Sequence, residues 1–147
     1  MPIRNTSGAF NIGRDITLVL IGPTGQRVEL PNVMGFDCKQ ETITLKLDRL
    51  DSVQMHAELP KGWTGSFELE RGSADVDRVF AAIEQNWVAN GVYNQCQIIE
   101  YIIETDESTS TFAFDNVSLK YSDAGAWKGD ASVKQKVEFT AWRRRPQ

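Results

Sequence analysis

Residues 43–59 read ITLKLDRLDSVQMHAEL, and this stretch decides the fold. Ile43, Leu45 and Leu47 alternate with Thr42, Thr44 and Lys46, and Val53, Met55, Ala57 and Leu59 alternate with Gln54, His56 and Glu58. A period of two places each apolar set on one side of an extended strand. Between the runs stands a charged tip, Asp48-Arg49-Leu50-Asp51-Ser52. The pattern predicts a long hairpin over about Gln40 to Leu59, ended by Pro60-Lys61-Gly62.

Strand signals continue on both sides. Upstream, Ile16, Leu18 and Leu20 alternate, Gly22-Pro23-Thr24-Gly25 punctuates, and Val28 and Leu30 follow, which reads as a first hairpin. Downstream, Trp63 to Glu70 reads as the next strand, with Phe67 and Leu69 on one face. The period then changes. Val76, Val79, Phe80, Ile83 and Trp87 form one apolar stripe, predicting a helix over about 74–90. Ser73 is the expected N-cap, Asp75 and Asp77 suit the first turn, and Gly91 is the expected stop. Trp87 is expected in the core.

Strands resume from Gln97. Ile99, Tyr101 and Ile103 share one face and Ile98, Glu100 and Ile102 the other, so this strand is expected to be covered on both sides or to enter an interface. Thr109 to Tyr121 shifts its apolar parity between Phe114 and Val117, which predicts a bulge or bend near Asp115-Asn116. Ser122 to Asp130 reads as a loop. Ser132 to Trp142 reads as a last strand, with Val133, Val137, Phe139 and Ala141 facing one way and Trp142 on the solvent side. The fold class is mainly β: a β-sandwich or barrel with one short helix and the long extended hairpin.

The 147 residues suit a single domain, with 1–14 as an N-terminal arm and 143–147 as a basic C-terminal tail. Twenty acidic against 16 basic groups give a net charge of −4, which argues against a DNA-gripping surface. Arg143, Arg144 and Arg145 form the one basic cluster, read either as a solvated tail or as a contact to an acidic partner. No apolar run is long enough to cross a bilayer. Met1 to Arg14 lacks the apolar core of a secretory signal, so the expectation is a chain made in a cytoplasm. Cys38 and Cys96 fit no zinc or redox spacing; they read as free thiols, with a disulfide as the lesser alternative.

Catalytic signatures are missing. His56, the sole histidine, lies mid-strand without a positioned nucleophile and reads as a surface or interface side chain. No nucleophile elbow or phosphate loop occurs. Asp48, Asp51, Asp75 and Asp77 lack the glycine and downstream glutamate of a calcium loop. Trp63, Trp87, Trp127 and Trp142 have no basic groove around them, so packing and interfaces explain them better than base stacking. Neither cofactor nor metal is expected, and the chain does not read as an enzyme.

The order and spacing of several fragments resemble the bacteriophage tail tube family, which shares its fold with the Hcp tube proteins of type VI secretion. Leu30-Pro31-Asn32-Val33 leading to Phe36-Asp37 resembles that family's approach to its long hairpin. Leu59-Pro60-Lys61-Gly62-Trp63-Thr64-Gly65 through Arg71 is similar to its Pro-x-Gly-Trp-x-Gly strand, and Ser73 through Glu84 to its single helix. Phe114 to Leu119, Gly125 to Lys128 and Val133 to Phe139 resemble its C-terminal hairpin. One departure is Glu107, where glycine is expected.

The resemblance implies a virion tail protein, assembled in the host cytoplasm. Hexameric rings would stack into a hollow tube through which the genome passes without specific binding. Sheath, tape-measure and baseplate or terminator proteins are the implied partners. Lys46, Leu47, Asp48, Arg49, Leu50, Asp51 and Ser52 would make the inter-ring contact. Apart from the resemblance, Trp142, by its solvent-side position, and Arg143, Arg144 and Arg145, as the one basic cluster, read as a contact to another subunit or a sheath. An Hcp-like secretion tube protein and a stand-alone ligand-binding β-barrel are the alternatives.

Overall fold

The computed structural model describes residues 15–30 and 33–147. The expected N-terminal arm and the Pro31-Asn32 part of the approach to the hairpin lie outside them. The elements are β1 (Ile16–Ile21), β2 (Arg27–Leu30), β3 (Val33–Asp48), β4 (Gln54–Glu70), α1 (Asp75–Asn90), β5 (Cys96–Ile103), β6 (Thr109–Asp123), β7 (Lys134–Ala141) and β8 (Arg143–Pro146). They form one antiparallel sheet, ordered β2-β1-β5-β6-β7-β4-β3, with β8 also on β6. The mainly β class, with a single α-helix among the described residues, is as the periodicities predict.

The sheet curls so that alternate side chains meet inside. Leu18 and Leu20 of β1, Val28 and Leu30 of β2, Phe67 and Leu69 of β4, and Val137 and Phe139 of β7 share one buried cluster. Phe114 sits edge-on to Phe36, Trp63 and Phe139, with centroids 6.2, 6.4 and 5.4 Å away. Such edge-to-face packing adds to the area that each ring buries. Gly65 lets β3 approach, since a Cβ there would collide with the Asp37 carbonyl and the Phe139 ring.

The bulge near Asp115-Asn116 marks a corner. Asn116 has φ 51°, and the β5–β6 register slips by one residue between Cys96 and Ile98. Up to Val117 β6 pairs with β5, and from Ser118 onward it pairs with β7. Bulged residues bend a strand and sharpen its twist, which is how one strand serves both halves of the sheet.

Helix α1 closes the core through Val76, Val79 and Ile83, which join the same cluster. Its first turn is anchored by Asp77, which accepts hydrogen bonds from Tyr121 Oη at 2.6 Å, Arg71 Nε at 3.0 Å and Gln135 Nε2 at 3.3 Å. Phe80 stacks on Tyr121 at 4.3 Å. The Tyr121 hydroxyl, above all, holds the Asp77 carboxyl below its ordinary range, and burial first and this bond second push Tyr121 upward.

Four expectations are corrected. Ser73 is not the N-cap: Ala74 holds that position without a side-chain cap, and the Ser73 hydroxyl lies one residue early, beside Asp75. Trp87 is 58% exposed, because the buried stripe ends at Ile83 and the helix runs on past the core. Pro60-Lys61-Gly62 does not end a strand; β4 passes through it without a break. The basic C-terminus is no solvated tail, since β8 hydrogen-bonds along β6.

Candidate assembly interface

The long hairpin leaves the body at Gly62. Strand β4 pairs with β7 only from Trp63 to Glu70, whereas its pairing with β3 continues to Gln54. Opposite Glu41 and Thr42 stand Gly62 and Pro60, so Lys61 is an extra, bulged residue. Gly62 has φ 124°, in the region that favours glycine, and a Cβ would lie 2.7 Å from the Ala141 carbonyl oxygen. A bulge at this point lets the proline stay inside a strand and turns the hairpin away from β7.

Beyond the bulge the hairpin has one apolar face. Ile43 pairs with Leu59, Leu45 with Ala57 and Leu47 with Met55, so these six side chains share a side. Every residue from 39 to 61 is exposed. Ile43, Leu45, Leu47, Met55 and Leu59 are each 44–53% exposed. The other face is polar. Thr42 and Thr44 each donate to Glu58 at 2.8 Å, which lowers the Glu58 carboxyl, and Lys46 lies across from His56. On the polar face Thr42, Thr44 and Glu58 bond one another, while among the described residues no other element covers the apolar face. A free two-stranded hairpin is marginal in water, and an uncovered apolar face of this kind marks an interaction surface.

The tip holds the predicted residues together. Lys46, Leu47 and Asp48 end β3, and Arg49 to Ser52 turn the chain, with Ser52 at φ 68° and its N–H bonded to the Arg49 carbonyl at 3.1 Å. Arg49 and Asp51 pair at 3.3 Å. Leu50 between them is fully exposed. Strand β3 is also an edge of the sheet, bonded on one side only among the described residues. Long open edges are templates for pairing with another chain.

A second set lies at the root of this hairpin, where Trp142 follows the Ala141 carbonyl that faces Gly62. Where β7 passes into β8, Trp142 donates its backbone N–H to the Asp115 carbonyl at 2.9 Å and turns its indole outward, 61% exposed. Arg143 covers that ring at 5.0 Å. Arg143 and Arg145 both bind Asp115, at 3.3 and 3.1 Å, and these bonds, Arg145 foremost, hold the Asp115 carboxyl below its ordinary range. Arg144 turns the other way, into a bond with Glu100 over the Phe112 ring. Of the three arginines, Arg143 is the most exposed. Cys38 on β3 and Cys96 on β5 are free thiols, and burial pushes Cys96 up to about 11.

Periodicity exposed the apolar hairpin face but not what surrounds it. Gly62 read as a strand end, and Glu100 as one more residue on an alternating strand. The signal for the first was a glycine after proline inside a continuous alternation. For the second it was a lone acid among isoleucines.

No protein-family model and no curated protein sequence matches the chain. Solved structures do. The sheath–tube complex of an extracellular contractile injection system, PVC, in its extended state contains a chain 9% identical, with a TM-score of 0.60 over 88% of this chain and 87% of that one. The SPP1 tail tube is 11% identical, with a TM-score of 0.60 over 92% and 78%. A chain of the virion of a native gene transfer agent particle is 12% identical, with a TM-score of 0.52 over 94% and 99%. The chain thus has the tail tube fold.

Proposed function

We propose that this protein is the subunit of a hollow tail tube, a structural and not a catalytic component. Copies associate into rings, six to a ring, and the rings stack into a conduit through which the genome is delivered. The observation that carries this reading is the hairpin, whose apolar face from Ile43 to Leu59 no other described element covers, while the core beneath the helix is closed. A neighbouring copy is the natural cover, because a tube supplies the same surface at every step. The similarity to chains from a sheath–tube complex and a tail tube supports this choice over a monomeric ligand-binding barrel.

A contact that is not self-complementary propagates as an open filament, which is what a tube requires. Trp142 and Arg143 form a second contact, to a neighbouring subunit or a sheath; Arg144 is committed to Glu100. Tape-measure and baseplate or terminator proteins are the further partners, and assembly takes place in the host cytoplasm before the virion tail is complete. The mild acidity of the chain, −4 overall, lets DNA pass without being held.

Sedimentation of a hairpin variant tests the reading. Leu45→Asp with Leu59→Asp places charges on the apolar face but leaves the core untouched. The variant keeps the circular dichroism of the parent and sediments as a monomer under conditions where the parent forms large particles. Large particles of unchanged size from the variant would overturn the proposal.

A further inference from the structure

An open cleft of about 590 Å³ lies between β2, the end of β4 and the start of α1. Val28, Leu30, Leu69 and Val76 contribute its apolar lining. Charged side chains of both signs stand around it: Arg27, Glu29 and Glu70, and Arg78, which pairs with Asp75 at 3.4 Å. The cleft and the hairpin tip sit at opposite ends of one strand, since β4 begins beside the tip at Gln54 and ends in the cleft at Glu70.

We infer that the cleft receives the hairpin tip of a second copy of this chain. The inference rests on the tube reading and adds the receptor for its hairpin. The tip offers what the cleft lacks: Leu50, fully exposed, for the apolar lining, and Arg49 and Asp51 on either side of it for the opposite charges at the rim. Arg49 faces Glu29 or Glu70, and Asp51 faces Arg27, so each of the two tip charges finds a partner of opposite sign. Within one copy the contact is out of reach, because an extended strand of 17 residues spans roughly 55 Å. Tip and cleft are different surfaces, so each docked copy leaves a free tip at one pole and a free cleft at the other. The contact is therefore head-to-tail and open-ended, and its axial repeat does not exceed the length of β4.

Cysteine crosslinking of the full chain tests this. Leu50→Cys and Ser73→Cys place one thiol on the tip and one at the cleft, both at exposed positions that the core does not use. Mild oxidation with diamide is followed by non-reducing electrophoresis, with electron microscopy of the same sample. The parent chain, with Cys38 and Cys96, and each single variant are the controls. The expected result is a ladder of dimers, trimers and higher species in the double variant alone, drawn from samples that contain rods. Rods without a ladder would overturn the docking site and leave the tube reading standing. A single dimer band would overturn the head-to-tail geometry. Neither rods nor ladder would overturn both.

Discussion

Arg144 and Glu100 meet at 2.7 Å across β6, with side chains only 21% and 6% exposed. The guanidinium lies 3.6 Å from the centroid of the Phe112 ring, and its Nε finds no hydrogen-bond partner among the described residues. A buried charge is tolerable only beside its counter-charge, so the C-terminal strand is held by a bond that cannot be half removed. Arg144→Ala is expected to cost about 3–5 kcal/mol, because it leaves Glu100 buried and unpaired. Glu100→Leu combined with Arg144→Met is expected to recover most of that loss. Urea unfolding of the three proteins checks this. A single variant as stable as the parent would show that the pair carries no buried charge.

Acid sensitivity follows from Asp77 and Asp115. Both carboxyls sit below the ordinary value of 3.8, the first held chiefly by Tyr121 and the second chiefly by Arg145. A carboxyl lowered on folding adds stability that is complete above its unfolded pKa and is lost as pH falls through the folded one. Stability is therefore expected to be level from neutral pH to about pH 5 and to decline below about pH 4. Asp115→Asn should lower stability at pH 7 and flatten the acid decline. An Asn variant with an unchanged acid slope would remove Asp115 from this explanation.

Glu107 occupies the left-handed region, with φ 76°, in the turn between β5 and β6. A side chain there costs about 1–2 kcal/mol, of which glycine's greater freedom in the unfolded chain cancels part. Glu107→Gly is expected to stabilise the protein by about 0.5–1 kcal/mol, read from its thermal midpoint. A lower midpoint would mean that the glutamate side chain contributes more than its backbone strain removes.

Gly62→Ala is expected to be costly at the root of the hairpin. The new Cβ meets the Ala141 carbonyl oxygen at 2.7 Å, on a backbone that disfavours any side chain. The expected loss is about 1–3 kcal/mol, with faster amide exchange concentrated in residues 42–60. Exchange that rises evenly across the sheet would show that Gly62 supports the body and not the hairpin.

Much of this fold was legible in the sequence, because period-two and helical alternation report burial directly. Leu18, Leu20, Phe67, Val137 and Phe139 point inward as their spacing predicts. The parity break after Phe114 located the corner of the sheet. Turn signals misled where tertiary context overrode them. Pro60 and Gly62 normally end strands, but a bulge absorbs both. Trp87 follows the helical stripe, yet the helix outruns the surface it covers. The buried Glu100–Arg144 pair was invisible, since residues 44 positions apart carry no mutual signal in one sequence. The hairpin tip stood out because its polar run interrupts an alternation. The cleft did not, because three separate elements build it.

Electron microscopy of the concentrated, purified protein in negative stain shows at once whether copies form a tube. Hollow rods are expected, with end views showing six-fold rings around an open centre. A field of particles no larger than a single chain, at every concentration at which the protein stays folded, would contradict tube formation.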